Sequence, residues 1–174
     1  MDALEVIFTR RSIRKYTKEE VSQKQIKNLL RAAMIAPSTV NNLDWAFVVI
    51  RDKSILNSLA QGLKPDAEML RDTSHAIAVC GDLELAYKKE KDFWIQDCAA
   101  ASENILLAAH AEGLGAVWLA VYPQKHKVEN VISILKLPGH IVPFNVISIG
   151  WPAEKKEAAA DMRYDEGKIH YDTW

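Results

Sequence analysis

The 174-residue sequence predicts a domain of the α+β or α/β class. Two observations lead to this prediction. Segments with helical periodicity interleave with four or five short runs of apolar and β-branched residues, and the longest helical segment, 93–112, stands in the middle of the chain. Because no repeat, low-complexity tract or linker divides the chain, we expect one domain over residues 1–174.

The first part of the chain predicts three helices and one strand. Residues 3–8 have the pattern of a short helix. Ser22 begins the next helix, since it forms a capping box with Gln25, and Pro37 ends the apolar stripe that follows. Residues 45–50 are a compact apolar run typical of a buried strand. Residues 54–61 predict a third helix with Gly62 as its C′ residue.

The second part predicts three strands and two helices. The strands lie at 75–80, 116–121 and 144–149, and the helices at 93–112 and 125–136. A polar stretch then leads to Arg163 and to a short alternating segment at 168–171. The middle of the long helix, 98–101, is small and apolar on every side, so we expect it to be buried on every side. One domain of this size rarely covers such a helix completely, which favours a partner subunit.

Composition and charge exclude several classes of protein. The chain is 49% apolar and 26% charged, as soluble globular proteins are. Its formal net charge of −1 argues against a general nucleic-acid binder. The first residues do not resemble a secretory signal, and the uncharged stretches are too short to span a bilayer. Cys80 and Cys98 have no C-x-x-C spacing and are interpreted as reduced core thiols, which points to the cytoplasm; a disulfide between them is the less favoured alternative.

A basic cluster, Arg10-Arg11-Ser12-Ile13-Arg14, follows the first predicted helix. Charge-assisted hydrogen bonds to phosphate are strong, and the arginine fork suits bidentate contacts with it. If the cluster is helical, Arg10 and Arg14 share one face. By itself, a solvated basic turn or a nucleic-acid patch explains this pentapeptide as well as an anion site does.

A polar loop, Ala36-Pro37-Ser38-Thr39-Val40-Asn41-Asn42, leads directly into the apolar segment Trp45-Ala46-Phe47. A helix stop followed by a turn explains Pro37 and Asn41. It does not explain why hydroxyls and amides adjoin so apolar a strand. A pocket with an apolar floor and a few placed polar groups is the usual form of a cofactor site.

Other chemistries have little support in the sequence. Gly113-Leu114-Gly115 lacks the third glycine of a dinucleotide fingerprint, since position 118 is Trp, and it follows a helix rather than a strand. The five histidines are scattered without metal-ligand spacing, so no metal site is expected. No G-x-S-x-G elbow or partner base supports Ser12 or Ser38 as a nucleophile.

Four motifs in order give the chain a resemblance to the nitroreductase-like family of FMN-dependent oxidoreductases. The arginine cluster resembles the family's N-terminal flavin motif. The loop 36–42 with Trp45 and Phe47 resembles its A-P-S-x-x-N-x-Q-P-W-x-F segment, and Gly113-Leu114-Gly115-Ala116-Val117-Trp118 resembles its G-L-G-x-x-W turn and strand. Arg163, ahead of His170-Tyr171 and Trp174, is similar to its C-terminal arginine and tail.

The resemblance implies an α+β fold with a central antiparallel or mixed sheet, flanked by helices around a long buried helix. It also implies an intertwined homodimer with FMN sites at the interface. Carried over by position, Arg10, Ser12 and Arg163 hold the FMN phosphate, Arg11 lies near the ribityl chain and Arg14 near the pyrimidine edge. The other subunit contributes Pro37, Ser38, Thr39 and Asn41. The ring lies along Trp118, Leu119, Ala120 and Val121, with the backbone N–H near Ala120 facing N5.

The resemblance implies an enzyme without a catalytic side chain of its own, in which FMN carries the hydride chemistry. NADH or NADPH is the reductant, and a nitroarene, quinone or similar small acceptor follows it in a ping-pong cycle. Two departures stand out: the family's Gln-Pro is Leu43-Asp44 here, which bears on the flavin potential, and Ala120 stands where many members have Gly or Glu. The alternatives are a flavin-binding protein with little turnover and, more distantly, an anion-binding regulatory module.

Overall fold

The computed structural model describes residues 1–90, 92–159 and 163–174. Over these residues the helices and strands follow one another in this order: α1 (Ala3–Thr9), α2 (Gln23–Met34), β1 (Trp45–Ile50), α3 (Lys53–Gly62), β2 (His75–Asp82), α4 (Phe93–Ala111), β3 (Gly115–Ala120), α5 (Lys125–Leu135) and β4 (Ile141–Gly150). Short 3₁₀ turns lie at Thr39–Asn41, Glu68–Arg71 and Glu166–Lys168.

The four strands form one sheet in the order β1-β2-β4-β3, and every pairing is antiparallel. The central strands β2 and β4 are the longest, and their register pairs Ile77 with Ile147. Helices and an antiparallel sheet in one core are the α+β class. The predicted fold class, with a central sheet flanked by helices, is confirmed.

The two faces of the sheet are covered by different helices. Ile77 and Ile149 belong to the apolar cluster that contains α2 and α4. Ala76 and Ala78 belong to the cluster that contains α3 and α5. Because the central strands are buried on both faces, they consist of nearly continuous apolar residues. This explains why the strands are compact apolar runs in the sequence.

Most predicted elements lie within three residues of their observed bounds. The capping box of Ser22 and Gln25 is present at the start of α2. The prediction for Gly62 is wrong: this glycine is the last residue of α3, and Leu63 is the C-cap. Added at Gly62, a Cβ would lie 3.0 Å from Ile134 Cδ1, so its small size serves the packing of α3 against α5. The alternating segment 168–171 is exposed and forms no strand.

Helix α4 crosses the sheet and is covered on one face by its own chain. Trp94, Cys98, Ala101, Ile105 and Ala109 are buried on that face. The small and apolar residues on its flanks, Ala99, Ala100, Leu107 and Ala108, are only half-buried. The chain alone therefore does not bury the helix on every side. Among the described residues, no helix has the length and apolarity needed to cross a membrane.

Candidate functional site

Three arginines from the two ends of the chain meet at one small pocket. Arg10 and Arg11 follow α1, and Arg163 comes from the C-terminal segment. The pocket measures about 90 Å³, and its other lining residues are Ile7, Phe8 and Ala159. A water molecule takes up about 30 Å³ of liquid, so the pocket has room for a small group but not for a whole nucleotide.

The pocket has more positive than negative charge. Arg10 lies with its Nε 3.5 Å from Oε1 of Glu103, an exposed residue of α4. Arg11 donates through Nη1 to the backbone carbonyl of Glu157. Among the described residues, Glu103 is the one carboxylate in an ion pair with a pocket arginine, and its partner is Arg10. The donor set suits a phosphate, which arginines bind by charge-assisted and often bidentate hydrogen bonds.

Helix α1 fixes the position of Arg10, which is its C-cap residue. Asp2 caps the start of the helix by accepting a hydrogen bond from the Glu5 amide. At its end, the Thr9 hydroxyl lies 2.8 Å from Nε2 of His110 in α4. His110 is half-buried, as expected for a packed histidine, and burial lowers its pKa. Since α1 ends at Thr9, Arg10 and Arg14 do not share a helix face.

After α1 the chain runs beside the start of β3. Ser12 pairs with Ala116 in an isolated parallel bridge, and the Ile13 amide donates a 3.0 Å hydrogen bond to the Ala116 carbonyl. Gly115 permits this approach, because a Cβ there would lie 2.7 Å from Cγ2 of Ile13. The structure thus brings the arginine cluster against the Gly113–Trp118 motif.

The buried hydroxyl of Tyr16 anchors the end of the arginine cluster on the sheet. It donates to the Ile13 carbonyl at 2.7 Å and lies 2.7 Å from the Ser148 Oγ on β4. Burial raises the pKa of Tyr16 well above its usual range, so the hydroxyl stays protonated. Two backbone hydrogen bonds, each 2.8 Å long, extend this attachment. The Thr17 amide donates to the Trp151 carbonyl, and the Ala153 amide donates to the Lys15 carbonyl.

Ser12 and Arg14 are placed apart from the arginine pocket. Ser12 is half-buried, and its carbonyl accepts a 2.8 Å hydrogen bond from the Lys156 ammonium. Arg14 is exposed, and its backbone N–H donates to Glu154 Oε1 at 2.6 Å. The pocket therefore contains three of the five predicted residues from the arginine cluster and the C-terminal segment.

The loop between α2 and β1 contains the next group of predicted residues. The Ser38 hydroxyl oxygen accepts a 3.0 Å hydrogen bond from the Leu43 amide, which closes the loop on itself. Pro37 and Asn41 are exposed. Three non-glycine residues of the loop, Val40, Asn41 and Leu43, have positive φ angles of 46°, 58° and 52°. Backbone in this region costs energy and persists only where surrounding contacts hold it.

Asp97 of α4 supplies these contacts. The Thr39 amide lies 3.0 Å from both carboxylate oxygens of Asp97, and the Thr39 hydroxyl donates to Oδ1 at 3.2 Å. Asp97 was not among the predicted site residues. A carboxylate inside a buried helix was the available signal, because such a group needs donors from elsewhere in the fold.

Asp44 lies inside the protein and not at its surface. Its place in the motif predicted an influence on the flavin potential, whereas Asp44 is 0% exposed beneath the loop. Burial and the neighbouring Asp97 raise the pKa of Asp44 to about 6. We therefore expect Asp44 to affect a ligand through its neighbour Asp97 and not by direct contact.

The predicted strand 118–121 presents little side-chain surface. Leu119 and Val121 are buried, while Trp118 is half-buried and packs edge-on against Phe144 at 5.3 Å. Ala120 is exposed at the end of β3, opposite Asn145 of β4. A ligand along this strand would meet mainly backbone groups, the exposed Ala120 and the accessible part of Trp118.

Helix α4 separates the arginine pocket from the loop. Glu103 contacts Arg10, and Asp97 holds Thr39, so the two contacts stand six residues apart on one helix. At 1.5 Å per residue the spacing is about 9 Å. Each residue turns the helix by about 100°, so the two contacts also face directions about 120° apart around α4.

A second acidic group lies at the end of β2. Ligand atoms of Asp82, Glu84 and His140 come within 4.8 Å of one another, although no metal site was expected from the sequence. The antiparallel pairing of Asp82 with Ile141 brings His140 to this edge, which spacing along the chain could not reveal. His140 and Glu84 form a loose ion pair at 3.9 Å.

Comparison with known proteins gives consistent results. The model of the Nitroreductase family matches residues 7–78 and 63–151. A protein of Methanothermobacter thermautotrophicus, provisionally named NADH dehydrogenase/NAD(P)H nitroreductase, is 45% identical over the whole chain and 88% of its own length. The crystal structure of a Bacteroides thetaiotaomicron protein with the same provisional name superposes with a TM-score of 0.92, at 44% identity and coverage of 99% and 98%.

A third similarity concerns a protein whose name includes a cofactor. The FMN-dependent nitroreductase of Clostridium difficile R20291 is 33% identical, with a TM-score of 0.90 and coverage of 98% of this chain and 99% of that one. These superpositions confirm the nitroreductase-like fold that the four motifs implied.

Proposed function

Because the chain belongs to the nitroreductase family, we propose that it is an FMN-dependent NAD(P)H oxidoreductase that reduces small oxidised acceptors. The acceptor class includes nitroarenes and quinones. The reductant is NADH or NADPH, and nucleotide and acceptor use the same place in turn, which is a ping-pong mechanism. When bound, FMN supplies the hydride chemistry, and the protein supplies binding, orientation and electrostatics.

The arginine pocket is the observation that carries this proposal. Arg10 and Arg163 are separated by most of the chain, and the fold brings both to a pocket of about 90 Å³ together with Arg11. In a chain with a formal net charge of −1, such a local concentration of guanidinium groups supports a specific anion site. We assign it to the FMN phosphate, with Arg10 and Arg163 as the main contacts.

The other predicted residues surround the rest of the cofactor in this proposal. Arg14 is exposed, and we assign its guanidinium to the pyrimidine edge of the ring. The backbone of Ser12 is held beside Ala116, and we assign its hydroxyl to the phosphate end of the cofactor. The end of β3, with Trp118 and Ala120, lies along the ring, and the backbone N–H near Ala120 faces the redox-active part of it.

We also propose a homodimer with FMN sites at its interface. The apolar surface that one chain leaves uncovered supports this: Leu4, Ile7 and Phe8 of α1 are more than half exposed, and Ile35 after α2 is 81% exposed. On α4, Ala99 and Ala100 are only half-buried as well. Residues Pro37, Ser38, Thr39 and Asn41 then belong to the site of the partner subunit.

The C-terminal segment supports the same arrangement. All its described residues from 163 to 174 are exposed, and they include Tyr164, Tyr171 and Trp174. Trp174 is 100% exposed, although its ring stacks on His170 at 4.1 Å. Several exposed aromatic side chains on one segment are typical of an interaction surface. In the proposed dimer this segment lies on the partner.

We place the enzyme in the cytoplasm, where thiols stay reduced. Cys80 and Cys98 are both free and buried, which agrees with that compartment. Burial raises the pKa of Cys80 to about 12, and it also raises the pKa of Cys98. Neither thiol is therefore activated for redox chemistry.

The test is a titration of the apo-protein with FMN, followed by anaerobic mixing of the complex with NADH or NADPH. We expect saturable binding, fast loss of the oxidised flavin absorbance with at least one nucleotide, and reoxidation by members of an acceptor panel. Binding without reduction would show a flavin-binding protein with little turnover. Absence of FMN binding would overturn the proposal.

A further inference from the structure

Two acidic side chains meet in the interior beneath residues 37–43, which form the loop between α2 and β1. Asp44, just before β1, is 0% exposed, and Asp97, in the second turn of α4, is 4% exposed. Among the described residues, no donor reaches either oxygen of the Asp44 carboxyl. Asp97 is the neighbouring carboxyl, and the two side chains can form a hydrogen bond when one of them is protonated. Two carboxylates are both acceptors, so this contact requires a proton between them.

The other contacts of Asp97 show which member of the pair is ionised. Both Asp97 oxygens face the Thr39 amide at 3.0 Å, and Oδ1 also accepts from the Thr39 hydroxyl at 3.2 Å. Hydrogen bonds of this kind stabilise the charged form of a carboxyl. Within the described parts of the chain, no donor meets the Asp44 side chain. The proton therefore resides on Asp44, which donates it to Asp97.

We propose that Asp44 as acid and Asp97 as carboxylate share one proton, and that this pair positions Thr39, and with it the 37–43 loop, for FMN. The inference rests on the proposed function, which places Thr39 beside the cofactor. Asp44 and Asp97 are positioning residues, since they act on the ligand only through Thr39. The backbone at Val40 and Asn41 has positive φ angles, and such a loop relaxes when its anchor is lost. The pair is therefore needed to keep the loop in this conformation.

The charged groups around Asp44 all favour its neutral form. Burial raises its pKa most, the neighbouring Asp97 adds to this, and Asp82 at the end of β2 adds further, giving a pKa of about 6. The Cys98 thiol on α4 is neutral because burial raises its pKa. No cation among the described residues contributes to the shift of Asp44.

The sign of the pH dependence follows from the raised pKa. Between the ordinary aspartate pKa of about 4 and the folded value of about 6, the folded protein binds more protons than the unfolded chain. The contribution of the pair to stability is therefore complete below that range and is lost as the pH rises through it. Above it, two buried carboxylates repel each other and the grip on Thr39 weakens.

The experiment measures the FMN dissociation constant of the parent and of Asp44→Asn across this range. We expect the FMN dissociation constant of the parent to rise about tenfold between about pH 5 and about pH 8. A tenfold rise corresponds to a difference of about one pKa unit for the pair between the free and the FMN-bound protein. Asp44→Asn keeps the shape and donates to Asp97 through its amide at every pH, so its profile should be flat. Glu84→Gln, which removes an exposed carboxylate nearby, should keep the parental rise.

A second measurement uses the parent protein alone, so it does not depend on whether a variant folds. The infrared spectrum of the parent apo-protein should contain the C=O band of a buried carboxylic acid, and that band should fade over the pH range in which FMN affinity falls. A missing band, or a flat parental profile in a protein that binds FMN, would overturn the pair. Failure to bind FMN at any pH would instead overturn the proposed function and the positioning role together.

Discussion

The amide of Ile13 donates a 3.0 Å hydrogen bond to the carbonyl of Ala116. This bond joins two sequence motifs about a hundred residues apart: the arginine cluster at 10–14 and the glycine-containing turn and strand at 113–118. It places the arginines of the pocket at a fixed distance from the strand on which we expect the flavin ring to lie. The phosphate and ring ends of the proposed site are thus linked through the backbone.

Gly115 makes this contact possible, and replacing it tests its importance. In Gly115→Ala the new Cβ would stand 2.7 Å from Ile13 Cγ2 and 2.9 Å from Ile13 Cβ, so the segment must move. We expect a loss of about 1–3 kcal/mol in the free energy of unfolding, as for other overpacked sites, and weaker FMN binding. Chemical denaturation and an FMN titration measure both effects.

Gly139→Ala is the matched control, because a Cβ there meets nothing within 4 Å. It should leave both quantities unchanged. Equal stability and FMN affinity of Gly115→Ala and the parent would show that the contact between residues 13 and 115 is not important.

The Tyr16 hydroxyl gives a second prediction about the same segment. Tyr16→Phe leaves the Ile13 carbonyl and the Ser148 hydroxyl without their 2.7 Å partner, which should cost about 1–3 kcal/mol. The folded pKa of Tyr16 is raised, so the unfolded chain loses this proton at lower pH. Stability should therefore fall as the pH rises above about 10 in the parent, and fall less in Tyr16→Phe.

Urea unfolding at neutral and alkaline pH measures this difference. Tyr171→Phe is the control, since Tyr171 is 82% exposed, and it should keep the parental loss of stability. An alkaline loss of stability as large in Tyr16→Phe as in the parent would contradict the assignment.

The sequence predicted the helices and strands well because local patterns determine them. The capping box of Ser22 and Gln25, and the compact apolar runs of the strands, depend on neighbours in the chain. The convergence of Arg10 and Arg163 was implied only by the resemblance, which placed Arg11 near the ribityl chain instead, since no local pattern links residue 163 to residue 10. The burial of Asp44 and its contact with Asp97 could not be predicted, because it depends on how β1 and α4 pack.

The cysteines provide a prediction about the chemistry. Cys80 and Cys98 are buried and free, and burial raises the pKa of both thiols. Serine at both positions should therefore leave the rate of flavin reduction nearly unchanged, although burying two hydroxyls lowers stability. Anaerobic stopped-flow reduction of the double variant gives the rate, and circular dichroism shows whether it is folded. A large loss of reduction rate in a folded variant would show that a thiol participates.

The oligomeric state is a further prediction. We expect a homodimer that buries more than about 2,000 Å², the class of obligate interfaces, on the surfaces of α1, α4 and the C-terminal segment. Phe8 is 52% exposed in one chain, so Phe8→Glu should place charges in the interface and shift the protein toward monomer with loss of FMN binding. Glu19→Gln, on an exposed and polar loop, is the control. Sedimentation velocity distinguishes the states; a monomeric parent that binds FMN at micromolar concentration would refute the dimer.

Arg14 and Arg163 are predicted to act at opposite ends of FMN. Arg163 lines the pocket that we assign to the phosphate. Loss of a charge-assisted contact costs about 1.5–3 kcal/mol, so Arg163→Ala should weaken FMN binding by roughly one to two powers of ten. Once saturated with FMN, this variant should turn over almost normally, because phosphate contacts are similar in both redox states of the flavin.

Arg14→Ala should behave differently at saturating FMN. The Arg14 guanidinium is exposed and does not line the phosphate pocket. Placed near the pyrimidine edge, its charge stabilises the reduced, anionic ring more than the oxidised one. Removing it should lower the flavin reduction potential and slow reduction by NAD(P)H, whereas Arg163→Ala should keep the parental potential. A redox titration of parent and both variants decides the matter: equal potentials for the parent and Arg14→Ala would refute the assignment of Arg14 to the ring.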